Sequence, residues 1–296
     1  MPEIVEVTTP DGLRLHGAFY EAPAPDSAIK PFDAVLLLHG AGGNFYGSTL
    51  FGGLLPTFRQ LGLAVLCVNT RGHDAVSTAG TARGPRMIGA AFETVEECRH
   101  DITAWIEFLA LRGYRQLVLA GHSLGAVKAI YALAHEPRPE VRSLVAISPP
   151  RLSHSRFAAG LESDQFLKEF ADAERHVAAG HAEALMSVRF PIPYLVTAAG
   201  YIDKYGRDER YNILKHVPQV ACPMLFTFGT IELRRGSAFQ GLPEDLSTLA
   251  EQGADLKVAV IGGADHFYTA ARPELAGQIQ SWLAHGAKEP TLRASL

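Results

Sequence analysis

The 296-residue chain is 47% hydrophobic and 20% charged, which allows a sizeable core and excludes disorder for the bulk of the sequence. Twenty-seven Lys and Arg against 31 Asp and Glu leave a net charge of −4 with no block of one sign, so nucleic acid is not an expected partner. The three cysteines, Cys67, Cys98 and Cys222, are odd in number and lack CxxC or Cys/His ligand spacing; no disulfide framework, metal site or cofactor is expected.

Met1 to Glu6 carries acidic residues where an export signal carries basic ones, and a cytoplasmic location is expected. Ile4 to Thr8 and Leu13 to Tyr20 flank Pro10-Asp11-Gly12 and predict an antiparallel hairpin. Pro23, Pro25 and Pro31 mark a loop. From Ala34 to Phe58 no residue is charged apart from a protonated His39, yet seven glycine and proline breaks argue against a membrane helix. Short apolar runs then alternate with helix-length segments. Ala34 to Leu38, Ala64 to Val68, Gln116 to Ala120, Leu144 to Ile147, Met224 to Phe228 and Lys257 to Ile261 are strand candidates.

Thr94 to Leu111 is the clearest helix, with Val95, Cys98, Ile102, Trp105, Ile106 and Leu109 on one face. This alternation predicts a mostly parallel sheet with right-handed crossovers. Residues 150–221 are too long for one crossover and predict an inserted cap, with helices at Gln165 to Val177 and His181 to Val188. The expected core is then 1–149 with 222–296, and Lys288 to Leu296 reads as a frayed tail.

The strongest chemical signal is Gly121-His122-Ser123-Leu124-Gly125, between a predicted strand and the helical run Ala126 to Ala134. A serine on a strained strand-to-helix turn needs small neighbours and presents its hydroxyl to substrate. That hydroxyl is a weak nucleophile and needs a base, itself oriented by an acid. Among twelve histidines, His266 stands out because it follows the last predicted strand. For the acid, Glu232 follows Met224 to Phe228 through Gly229-Thr230-Ile231, with Asp245 as the alternative. Oxyanion donors are expected from the amides of Leu124 and Ala41, the latter in His39-Gly40-Ala41-Gly42-Gly43, with Gly42 as the alternative. His39, Gly42, His122, Tyr201 and Tyr205 are candidate pocket residues. Arg99-His100-Asp101 reads as a salt-linked cluster, because consecutive helical side chains diverge by about 100°.

Together these motifs resemble the α/β-hydrolase fold over nearly the whole chain, and most closely cap-bearing cytosolic serine esterases. The resemblance implies an eight-stranded, mostly parallel sheet with helices on both faces and an inserted helical cap. Asn69-Thr70-Arg71-Gly72-His73-Asp74 also looks like the loop after the fourth strand in that family, with Asn69 and Asp74 departing from its usual aspartate and glycine. The expected activity is hydrolysis of a small-molecule carboxylic ester through a Ser123-His266-Glu232 triad and an acyl-enzyme. A thioesterase or C–C hydrolase with the same triad is the alternative enzyme. A non-catalytic ligand-binding member is the alternative of another class. Epoxide hydrolases and dehalogenases are disfavoured, since they require a carboxylate at the position of Ser123. No membrane association is expected.

Overall fold

The computed structural model describes residues 1–23 and 31–285. Pro25 of the predicted loop and the predicted tail Lys288 to Leu296 lie outside them. Strands β1 (Glu3–Thr8) and β2 (Arg14–Tyr20) form the expected antiparallel hairpin, turned by Gly12 at φ 88°. The chain continues through β3 (Ala34–Leu38), α1 (Thr49–Gln60), β4 (Ala64–Val68), β5 (Ser77–Thr81), β6 (Gly84–Ile88), α2 (Cys98–Leu111), β7 (Leu117–His122), α3 (Leu124–His135) and β8 (Val141–Ile147). The segment that follows holds α4 (His154–Ala158), α5 (Ser163–Ala178), β9 (Leu185–Val188), β10 (Tyr194–Thr197) and α6 (Ala198–Tyr205). Last come β11 (Met224–Gly229), α7 (Thr230–Arg235), α8 (Leu242–Glu251), β12 (Leu256–Ile261) and α9 (Arg272–His285).

Eight strands form one sheet in the order β1-β2-β4-β3-β7-β8-β11-β12, parallel from β4 onward. Strands β3, β4 and β7 are buried at every position, as their unbroken apolar runs require. Strand β12, at the sheet's edge, instead leaves Val260 exposed. One face of the sheet packs on α1 and α9 through Phe51, Phe58, Leu275 and Ile279. The other packs on α2 and α3, where Trp105, Ile130 and Leu133 share a core with Phe157, Phe166 and Tyr201 of residues 150–221. All six helix-face residues predicted for Thr94 to Leu111 are buried, although Val95–Glu97 is a 3-10 turn ahead of α2.

Three elements differ from the expectation. His181 to Val188 is not a helix: α5 ends before Gly180 at φ 82°, and β9 pairs antiparallel with β10. An eight-residue apolar pattern fits either period, and here Val188 turns inward while Leu185 and Ser187 face out, an alternation proper to a strand. The hairpin β5–β6 had no apolar alternation to announce it; Ala79 and Ile88 clamp it to Leu13. Strand β8 also begins three residues early, at Val141, and takes in the polar Arg142-Ser143, where Ser143 accepts a hydrogen bond from Trp282.

Candidate active site

The sheet order brings four loops to one edge, at the carboxyl ends of β3, β7, β11 and β12, where ligands bind in open α/β sheets. After β7, Ser123 sits at φ 55°, ψ −125°, a strained conformation outside the helix it precedes. Its own amide donates to Ile147 O at 2.8 Å, fixing the turn to β8. The flanking glycines are required: a Cβ on Gly121 would lie 2.5 Å from Ala126 N, and one on Gly125 2.4 Å from Leu38 O and His39 O.

After β11, Glu232 lies in the first turn of α7 and is almost wholly buried. Its Oε2 accepts from His266 Nδ1 at 2.7 Å. That bond assigns the proton to Nδ1 and leaves Nε2 free to act as a base. Its Oε1 accepts from Gly229 N at 2.7 Å and from Ser148 Oγ at 2.6 Å. Behind Ser148 stand the buried hydroxyls of Tyr268, at 3.0 Å, and of Thr227, 3.0 Å further on. A carboxylate only accepts, so the Ser148 proton must point to Glu232, while the Tyr268 hydroxyl donates to Thr227 Oγ1. Sequence reasoning missed both residues; the left-handed φ of Ser148 (48°) and Tyr268 (51°) is their backbone signature. Asp245, the alternative acid, is instead half exposed and paired with Arg151 at 2.5 Å. Ser148→Ala is expected to lower kcat roughly tenfold with little change in KM, since a hydrogen bond to a charged group is worth about 1.5–3 kcal/mol. Steady-state kinetics on the variant checks this.

After β3, the amides of Ala41 and Leu124 carry no hydrogen bond among the described residues, and both residues line the same cavity as Ser123 and His266. Gly42 lines it too, at φ 62°. The loop after β4 holds this segment. Asn69 Oδ1 accepts from Phe45 N at 3.0 Å, and Asp74 accepts from Asn44 Nδ2 at 2.6 Å and Tyr46 OH at 2.5 Å. The two departures from the family pattern therefore both fasten the glycine loop.

His39 and His122 line the cavity but have committed rings. His39 donates from Nδ1 to Gly40 O at 2.7 Å and accepts from Thr70 N at 3.0 Å. His122 donates from Nε2 to His266 O at 2.8 Å. Burial keeps both neutral, aided by Lys128 for His39 and by His266 for His122, with pKa values pushed down to about 4 and about 3. The unfolded chain protonates them near pH 6.5, so folding is favoured above that value and weakened as pH falls toward 4. Urea unfolding across pH 7 to 4 should show a loss on the order of several kcal/mol, reduced in His39→Asn.

Tyr201 does not line the cavity. It is fully buried, with its hydroxyl donating to Phe190 O at 3.2 Å and packed beside Tyr205, which does line it. The cavity measures about 890 Å³, and residues 150–221 contribute Leu152, Ile192, Tyr194, Lys204 and Tyr205 to its wall. The cluster Arg99-His100-Asp101 divides: Arg99 pairs with Glu96 and Glu136, while buried Asp101 holds Arg71 at 2.8 Å. Beneath the glycine loop, buried Lys128 meets Glu93 Oε2 at 2.5 Å and Thr70 Oγ1 at 3.1 Å. Burial works to raise the Glu93 pKa, and Lys128 and Lys204 outweigh it, holding the carboxyl low.

The family model described as alpha/beta hydrolase fold matches residues 33–192, more than half of the chain. The chain belongs to the α/β-hydrolase fold family. Among solved structures, the chain is similar to Est1E from Butyrivibrio proteoclasticus with ferulic acid bound, at 14% identity and a TM-score of 0.64, covering 95% of this chain and 98% of that one. It is also similar to the Pyrococcus furiosus esterase Pf2001, at 16% identity and a TM-score of 0.63, covering 97% and 92%. A third similar structure is the alpha/beta hydrolase GrgF from Penicillium sp. sh18, at 14% identity and a TM-score of 0.67, covering 97% and 99%. A search of the curated proteins finds no match. Among the described residues, no helix is long and apolar enough to cross a membrane.

Proposed function

We propose that this hydrolase is a serine esterase acting on small-molecule carboxylic esters. The observation that carries the reading is the Glu232–His266 hydrogen bond at 2.7 Å in the cavity that Ser123 also lines. Ser123 Oγ attacks the ester carbonyl as its proton passes to His266 Nε2, and the amides of Ala41 and Leu124 hold the developing oxyanion. The imidazolium, stabilised by Glu232, returns the proton to the leaving alcohol. Water then attacks the acyl-enzyme with His266 as base, releasing the acid and restoring the Ser123 hydroxyl. Ser123 and His266 share the cavity wall without a hydrogen bond between them; such pairs commonly tighten only when substrate binds.

In this reading residues 150–221 act as a cap over the site, with 1–149 and 222–296 as the core. A cytoplasmic location belongs to it as well, supported by three free cysteines, two of them buried. Two of the similar structures are esterases by name, and that of Est1E holds a carboxylic acid of the kind an ester releases. The test is intact-protein mass after exposure to a fluorophosphonate. One adduct on the wild type, absent from Ser123→Ala and His266→Ala, is expected; a folded wild type that takes none would overturn the reading and favour a ligand-binding role.

A further inference from the structure

Residues 150–221 bring two buried hydrogen-bond donors to the cavity. Lys204 and Tyr205 end α6, and both line the cavity while exposing almost no surface. Lys204 Nζ donates to Ala90 O at 3.0 Å and lies 3.5 Å from Glu93 Oε1. That carboxylate is drawn closer to Lys128, and its Oε1 accepts no hydrogen bond among the described residues. One carboxylate therefore serves two buried lysines, and Lys204 is the less compensated of them. The acidic residue beside it, Asp203, is taken by the Tyr211 hydroxyl at 2.8 Å and by Arg210 at 3.6 Å. Glu162 and Arg235 also line the cavity but are exposed, so water screens them.

Tyr194 completes the group. Its ring lies 5.5 Å from Lys204 Nζ, and its hydroxyl donates to the Tyr205 hydroxyl at 3.1 Å. A hydroxyl that accepts in this way keeps its own proton to give, and among the described residues the Tyr205 O–H has no acceptor. Buried donors without partners are rare, and each calls for one. An ammonium has no lone pair, and the Tyr205 oxygen is already engaged, so this part of the wall offers donors and positive charge.

We propose that Lys204 and Tyr205 form a subsite for a second, ionised carboxylate on the substrate, so that the preferred ester carries an acid group away from the scissile carbonyl. The inference rests on the serine-esterase reading and names its substrate class. A carboxylate would take the free Tyr205 proton and balance the charge that Glu93 divides between two lysines. An arm ending in a methyl group would leave both unmet, and sites built around buried polar groups reject ligands that leave them unpaired.

Alkyl fluorophosphonates of graded chain length test this, each ending in either a methyl or a carboxylate, with the chain on phosphorus in one series and on the alkoxy oxygen in the other. Second-order labelling rates are read by intact mass at neutral pH. The carboxylate-ended probe of the best length should label wild type at least about tenfold faster than its methyl-ended counterpart. Lys204→Met should erase that ratio. Because it leaves Glu93 with one lysine and can destabilise the fold, Tyr205→Phe is the second variant, and it should lower the ratio severalfold. Equal rates for both end groups in both series, or a ratio that Tyr205→Phe leaves unchanged, would overturn the subsite while leaving the esterase intact. Absence of labelling by every probe would overturn the esterase reading and this inference with it.

Discussion

Ser123→Ala should lower kcat by about 10⁴- to 10⁶-fold, roughly 5 to 8 kcal/mol of barrier, with the fold unchanged. Nothing else at the elbow can replace it. His122 beside it is held neutral and donates to a carbonyl, and Leu124 brings an amide to the cavity but no nucleophile. His266→Ala should cost about as much, and the double variant little more than either alone, since a nucleophile and its base act as a unit. Single-turnover kinetics on an activated ester with all three proteins measures this. Residual turnover near the wild-type rate in Ser123→Ala would refute the assignment.

Glu93→Ala is expected to give the largest loss of stability, about 3 to 5 kcal/mol, because it leaves the buried ammonium groups of Lys128 and Lys204 without their shared counter-charge. Glu93→Gln, which keeps the shape and can still accept a hydrogen bond, should cost less. Gly72 belongs to the same arrangement, since a Cβ there would lie 1.8 Å from Glu93 Oε2. Urea denaturation of the variants beside wild type reads the difference. A loss under about 1 kcal/mol for Glu93→Ala would mean that water reaches the lysines.

The parts of this protein legible in its sequence are those written in short spans. Buried strands announce themselves as apolar runs, and the Ser123 turn as two glycines around a serine. Glu232 and His266 followed from chain order, because each had to come directly after a strand. What escaped was long-range pairing. Ser148 reaches Glu232 across 84 positions and Tyr268 across 120, and a serine or a tyrosine alone carries no sign of its partner. Lys128 looks like any helical lysine until Glu93, 35 positions away, is found beside it. Tyr201 was misplaced for the same reason: spacing put it near Tyr205, but only packing shows that its hydroxyl turns to Phe190. Asn69 and Asp74, departures from the family pattern in sequence, take their meaning from Asn44, Phe45 and Tyr46 in space.

The shared core beneath α2, α3 and residues 150–221 bears on how a substrate gets in. Phe157, Phe166 and Tyr201 are continuous with Trp105 and Leu119, Thr197 N donates to Ala91 O at 2.9 Å, and Lys204 is tied to Ala90 O. Lifting that segment as a door would uncover apolar surface and strand buried charges, so substrate has to reach the cavity with that segment in place. Rates should then follow the concentration of dispersed substrate, without a lag and without the jump at the micellar threshold that marks enzymes opened by an oil–water boundary.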